Sequence, residues 1–234
     1  MLKIIDLTVK YKKIVALNKV SIYINKGELV TVLGANGAGK TTLANSILGL
    51  INIESGDIIF NMESITHIPA YRRAKIGIGF VPDGSRIFSK LTIDENLMVG
   101  AFSRNNKEAI KKDKEYVYEL FPILRERKKV LASTFSGGER QILSIARCLM
   151  LKPKLLVIDE MSMGLMPILA KELFGLLKHF TDQGISILLI EQNAKQALKI
   201  SDRGYVLKNG EIILEGSSKS LSDNEEVRKS YLGI

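Results

Sequence analysis

The chain has 234 residues, 46% hydrophobic and 25% charged, which suits one large α/β domain with a smaller lobe and excludes a disordered segment. Its 34 basic and 25 acidic residues leave a net charge of +9, but no recognised nucleic-acid module accompanies the excess, so nucleic acid is not an expected partner. The single cysteine, Cys148, excludes a disulfide framework and a cysteine-based metal site, and no apolar run approaches the about 18 residues that span a bilayer.

Residues 2 to 10 alternate loosely and read as a strand rather than a signal peptide. A cytoplasmic chain is therefore expected, and any membrane role needs a separate partner. Ile22, Ile24, Leu29, Thr31 and Leu33 keep the strand rhythm across a turn at Asn25-Lys26-Gly27. Next comes Gly34-Ala35-Asn36-Gly37-Ala38-Gly39-Lys40-Thr41, which fits G-x-x-x-x-G-K-[ST] without a mismatch, after a strand and before a helix opened by Thr42 and Leu43. The glycines let successive N–H groups turn toward phosphate, and the helix N-terminus adds more. Lys40 can reach the outer phosphates and Thr41 can ligate magnesium.

That helix is expected to stop near Gly49, with Ser55-Gly56 turning into a strand at residues 57 to 60. Pro69 starts a short basic helix over 70 to 75, and residues 76 to 81 form a strand ended by Pro82. Thr92 opens a helix to Gly100 with Asp94 and Glu95 in its first turn. A charged amphipathic helix over 106 to 121 ends at Phe121-Pro122 and is expected to be solvent-exposed. Thr134 to Gly138 is a turn, and residues 139 to 151 a helix with Ile142, Ile145, Ala146 and Leu149 on one face. Ser136-Gly137-Gly138-Glu139 supplies a hydroxyl, two flexible N–H donors and a helix start, the makings of a second anion cradle. One triphosphate is already embraced by residues 34 to 41. A second cradle makes most sense if it serves the nucleotide of a neighbouring subunit.

After Pro153 strands and helices alternate: strand 155–159, helix 168–180, strand 186–190, helix 193–200, then strands 204–208 and 211–215 joined by an Asn209-Gly210 hairpin. Two short helices, 217–221 and 224–232, close the chain. Asp159 and Glu160 end an apolar strand, where an open parallel sheet places its ligand. Asp159 can hold magnesium opposite Thr41, and Glu160 can orient or deprotonate an attacking water.

With these elements in hand, the whole chain resembles the ATP-binding subunit of an ABC transporter, and within that superfamily the ATPases of branched-chain amino acid uptake. The echoes are residues 78–88 (IGFVPDGSRIF), 91–97 (LTIDENL), 190–194 (IEQNA) and 202–207 (DRGYVL). The resemblance implies a P-loop NTPase fold: a RecA-like core with an antiparallel β subdomain (residues 1–91 and 152–234) plus a helical lobe (92–151). It implies ATP and Mg2+ as cofactors, and Tyr11 stacking on adenine. Residues 34 to 41, with Thr42, bind phosphates. Asp83 stands where a loop glutamine senses magnesium, water and the membrane partner, and joins Thr41 and Asp159 as a metal residue. Ser136, Gly137, Gly138 and Glu139 clasp the partner subunit's ATP, residues 162 to 165 meet their counterpart across the dimer, and Gln192 contacts the γ-phosphate. Glu160, Lys40 and Gln192 are the implied catalytic set. The implied partners are permease subunits, a second ATPase (a copy or a related chain) and, indirectly, a solute-binding protein, with the chain peripheral on the cytoplasmic face.

Several positions depart from the family pattern. Phe135 replaces a leucine, Glu139 a glutamine, Met161 a proline, Asp83 a glutamine and Gln192 a histidine. Asp83, when ionised, accepts hydrogen bonds only, and Gln192 does not titrate. The substrate is read from the subfamily. The same ATPase design also serves urea or amide uptake, lipopolysaccharide export, or a soluble non-transport module.

Overall fold

The computed structural model describes residues 1–232. Alternating residues make β1 (Leu2–Tyr11) and β2 (Ile14–Ile24) an antiparallel pair, and β3 (Leu29–Leu33) is buried along its whole length. α1 (Lys40–Leu48) ends at Gly49, whose φ of 71° terminates the helix, while the buried Arg73 guanidinium donates to the carbonyls of Ser46 and Ile47. β4 (Ser55–Phe60) pairs with β1 and with the two-residue β5 (Glu63–Ser64). Ser55-Gly56, expected as a turn, is the first part of β4. Gly56 sits at φ 97° beside a register shift, where a Cβ would lie 2.6 Å from the Ile5 and Asp6 carbonyl oxygens, so this glycine serves a bulge. α2 (Ala70–Lys75) starts behind Pro69, and β6 (Ile78–Val81) stops at Pro82.

α3 (Ile93–Gly100) begins with a complete capping box between Thr92 and Glu95. α4 (Lys107–Leu120) is less exposed than its charges predict. Ile110, Val117 and Tyr118 form a narrow buried stripe, and Lys114 and the Tyr118 hydroxyl both reach Asp94. α5 (Pro122–Glu126) was not expected: Pro122 stops α4 but, at the first helical position, also starts a new helix. α6 (Gly137–Leu149) begins two residues earlier than the hydrophobic pattern indicates, because its N-cap is Ser136.

The remainder alternates as expected: β7 (Leu155–Asp159), α7 (Pro167–Asp182), β8 (Ser186–Glu191), α8 (Ala194–Ile200), β9 (Arg203–Lys208), β10 (Glu211–Ser217), α9 (Ser218–Asp223) and α10 (Glu225–Val227). A four-stranded antiparallel sheet runs β2-β1-β4-β5, and a six-stranded, mostly parallel sheet runs β10-β9-β3-β8-β7-β6. Alternate residues of the large sheet feed two cores. Leu29, Leu33, Leu156, Ile158, Ile187 and Leu189 pack under α3 to α8, whereas Val30, Val32, Leu155, Val157, Leu188 and Ile190 pack against α1 and the small sheet. Burial on both faces explains why β3, β7 and β8 are unbroken apolar runs. The strand order sets β8 between β3 and β7, so Leu33, Asp159 and Glu191 end three adjacent strands.

Candidate functional site

A cleft of about 470 Å3 opens at these strand ends, lined by Tyr11, Lys40, Thr41, Thr42 and Glu160 among others. Gly37 and Gly39 have φ of 81° and 108°. At Gly39 a Cβ would also lie 2.8 Å from the Ala16 carbonyl oxygen, so both conformation and space require glycine. Gly39 precedes α1 with no side-chain cap, which leaves the first-turn N–H groups to the cleft. The buried Lys40 ammonium donates to the carbonyls of Gly34 (2.9 Å) and Ala35 (3.1 Å) and lies 3.1 Å from Glu160 Oε1. Asn36, Gly37 and Gly39 line the cleft, whereas Gly34 and Ala38 are buried behind it. The β9–β10 hairpin backs the loop, with the Gly210 N–H donating to Ala38 O.

Asp159 is buried beside Thr41. Burial pushes its carboxyl above the ordinary range. The Glu160 and Asp83 charges add to the rise, against the opposing pull of Thr41 and Lys40. Its Oδ1 has no hydrogen-bond partner among the described residues. Glu160 follows with φ 46°, a strained conformation held by its N–H donating to Ile190 O (2.9 Å). Asp83 is half-buried just past the end of β6, and Gln192 is exposed just past β8; neither lines the cleft.

The Ser136 tip stands apart from that cleft. Ser136 and Gly137 are exposed, while Gly138 packs where a Cβ would meet Leu169. Ser136 and Glu139 form a capping box: the Ser136 N–H donates to Glu139 Oε2 (2.7 Å), and Arg127 holds Oε1 (2.7 Å). The Ser136 N–H bond, more than Arg127, keeps the Glu139 carboxyl below its ordinary range. Met163, Met166 and Ile168, on the turn after Glu160 and the start of α7, are 62%, 73% and 75% exposed. A second, apolar groove of about 510 Å3 runs between the sheet and the α3–α6 helices, lined by Leu50, Phe80, Ile87, Phe88, Phe102 and others, with Cys148 also in its wall. Burial pushes the Cys148 thiol up to about 12.

The family model described as ABC transporter matches residues 17–163. The chain belongs to the ABC transporter family. It is 45% identical over 223 residues, 95% of each chain, to a high-affinity branched-chain amino acid transport ATP-binding protein, BraG, of Pseudomonas aeruginosa. It is 38% identical, over 100% of this chain and 99% of the other, to a probable branched-chain amino acid transport ATP-binding protein, LivF, of Archaeoglobus fulgidus. The ADP conformation of MJ1267, an ATP-binding cassette of an ABC transporter, superposes with a TM-score of 0.88 at 28% identity, covering 100% and 99% of the two chains. The protein is thus an ABC ATPase subunit with the P-loop NTPase fold, and it binds nucleotide and hydrolyses ATP.

Three features of this ABC ATPase escaped sequence reasoning. Ile14 and Val15 line the cleft beside Tyr11, and two adjacent exposed aliphatics at a strand start were the available signal. Ser85, at φ 49°, donates to the buried Gln141 of α6, a link that no local pattern announces. Glu191 accepts from both the backbone and the hydroxyl of Ser162.

Proposed function

We propose that this chain powers uptake of branched-chain amino acids as one of two ATPase subunits docked on the cytoplasmic face of a membrane permease. The observation that carries the chemistry is that Lys40, Thr41 and Glu160 line one phosphate-loop cleft, with Asp159 buried directly before Glu160 at the same strand end. The substrate follows the names of the two relatives at 45% and 38% identity over nearly the whole chain.

Tyr11 stacks on adenine, with Ile14 and Val15 extending the apolar wall. Residues 34 to 42 hold the phosphates. A buried Asp159 oxygen with no partner, next to the Thr41 hydroxyl and near the Asp83 charge, fits a Mg2+ site. Among the described residues no three His, Cys, Asp or Glu side chains form a metal cage. Bound there, Mg2+ supplies neutralisation of phosphate charge. Glu160 accepts the proton of the attacking water, Lys40 exchanges its Glu160 contact for phosphate oxygens, and Gln192 offers an amide to the γ-phosphate.

The tip of Ser136, Gly137, Gly138 and Glu139, with Ser136 and Gly137 exposed, covers the ATP of the other subunit, a copy or a related chain. Met163, Met166 and Ile168 supply apolar surface for that contact. Residues 92–151 act as the moving lobe against the core of 1–91 and 152–234. A cytoplasmic loop of the permease docks in the Phe88–Phe102 groove, and an external solute-binding protein delivers the substrate. No described helix is long and apolar enough to cross a membrane, so the permease supplies the spanning segments.

The test is labelled-leucine uptake in cells carrying the permease and solute-binding protein. Glu160→Gln should reduce uptake to background and wild-type chain restore it. Undiminished leucine, isoleucine and valine uptake, alongside lost uptake of urea or another solute, overturns the substrate.

A further inference from the structure

One buried carboxylate has no part in the chemistry above. Glu191 ends β8 in register with Leu33, the residue before the phosphate loop, and is 2% exposed. It does not line the nucleotide cleft. Its two oxygens instead accept from one residue: Oε1 from the Ser162 N–H and Oε2 from the Ser162 hydroxyl, both at 3.0 Å. Burial raises the carboxyl's pKa and these bonds oppose the rise.

We propose that Glu191 is a positioning residue for hydrolysis, a clamp that fixes the turn bearing Glu160 to the end of β8. Glu160 occupies a left-handed conformation that disfavours side chains with a Cβ and persists only where its surroundings impose it. Two tethers flank it. Before the turn, the Glu160 N–H is held by Ile190 O at 2.9 Å. After the turn, Ser162 is held by Glu191 at both its backbone and its side chain. Ile190 and Glu191 are consecutive, so the last two residues of one strand staple both sides of the strained residue. A buried carboxylate is costly to keep where apolar side chains would pack, and here its bonds go to the turn that aims Glu160. The same clamp joins the dimer-facing turn at residues 162–165 to the strand end that leads into Gln192. The inference rests on Glu160 acting on water.

The experiment compares ATP turnover, KM and nucleotide affinity for the full chain carrying Glu191→Ala, Glu191→Gln, Ser162→Ala and the Glu191→Ala/Ser162→Ala pair. Misplacing a reacting group by about 1 Å costs up to about 100-fold, so Glu191→Ala should lower kcat by about 10- to 100-fold with ATP affinity changed less than about threefold. Glu191→Gln can still accept from the Ser162 N–H and donate to its hydroxyl, and should keep kcat within about threefold of wild type. The paired variant should match Glu191→Ala alone, because Ser162→Ala removes only a hydroxyl bond that Glu191→Ala has already cut. Normal turnover in Glu191→Ala, equal loss in the Gln and Ala variants, or affinity falling in step with kcat each overturns the proposal. If Glu191→Ala does not fold, Ser162→Ala, at a half-buried surface turn, should still lower kcat at constant affinity, and failure to do so is equally decisive. Failure of the base assignment is separable, because Glu160→Gln would then turn over normally.

Discussion

Replacing Glu160 with glutamine should separate binding from chemistry in this site. The carboxylate is 16% exposed and its Oε1 lies 3.1 Å from the Lys40 ammonium, itself 4% exposed. At an effective dielectric near 20, that separation corresponds to a gross attraction of about 5 kcal/mol, most of it offset by desolvation of two buried ions. Glutamine keeps the shape and still accepts from Lys40, so folding stability should move by less than about 1 kcal/mol. Nucleotide affinity should hold or tighten by up to about tenfold, because Lys40 then faces phosphate without an anionic competitor and the cleft loses one negative charge. Turnover behaves differently. A positioned general base contributes about 10²- to 10⁴-fold, or about 2.7–5.5 kcal/mol of barrier, and glutamine cannot take the proton. The assay pairs phosphate release under saturating ATP with equilibrium binding of a fluorescent ATP analogue. Turnover within about threefold of wild type, or affinity lost along with turnover, refutes the division of labour between Lys40 and Glu160.

Other perturbations probe separate links. Tyr11→Ala should weaken ATP binding by about tenfold or more, as expected for loss of one stacking platform, with kcat nearly unchanged, while Tyr11→Phe stays close to wild type in the same titration. Gly39→Ala places a Cβ at φ 108° and 2.8 Å from the Ala16 carbonyl oxygen, so it should lower stability by about 2 kcal/mol or more in urea unfolding and abolish nucleotide binding. Glu139 has a depressed pKa, held down first by the Ser136 N–H. The stability it contributes is present above the unfolded value of about 4.3 and is lost as pH falls through the lower folded value. Wild type should therefore lose more stability than Glu139→Gln between pH 5 and about 3, read from urea midpoints; equal losses would mean that the carboxylate charge contributes nothing to the cap.

The parts legible in the sequence are those whose physics is local. The loop at residues 34–41 announces its strand, its glycines and its helix in eighteen consecutive residues, and Asn209-Gly210 specifies its own hairpin. Gly56 misled because a glycine with positive φ serves a bulge as well as a turn, and only the neighbouring strand β1 distinguishes them. α4 misled because three buried side chains among many charges suffice when Asp94 of α3 draws in Lys114 and Tyr118. The insertion of β8 between β3 and β7 was likewise invisible, since strand order is a long-range property. The Ser162–Glu191 contact, twenty-nine residues apart, exists only because that order makes their strand ends neighbours.

The loop after β6 is one segment that connects the apolar groove to the phosphate-loop cleft. Asp83 contributes its charge to the buried Asp159, so the start of the loop belongs electrostatically to the cleft. Two residues later the attachments change sides. Ser85 donates to Gln141 of α6, the Arg86 carbonyl accepts from Arg147 at 2.5 Å, and the Phe88 backbone both donates to and accepts from the buried Asn96 of α3 at 3.0 Å. The Arg147 guanidinium also lies 5.1 Å from the centre of the Phe88 ring. Residues 85–88 are thus bound to α3 and α6, while Asp83 follows directly on Pro82 at the end of β6. A displacement of α3 and α6 relative to the sheet concentrates its backbone change between Pro82 and Ser85, where Gly84 has φ 70° and Ser85 φ 49°. Gly84 has no atom within 4 Å of its Cβ position, so the hinge can rotate without a packing clash. Phe88 in the groove wall and Asp83 thus lie five residues apart on one segment, with Gly84 and Ser85 between them in left-handed conformations.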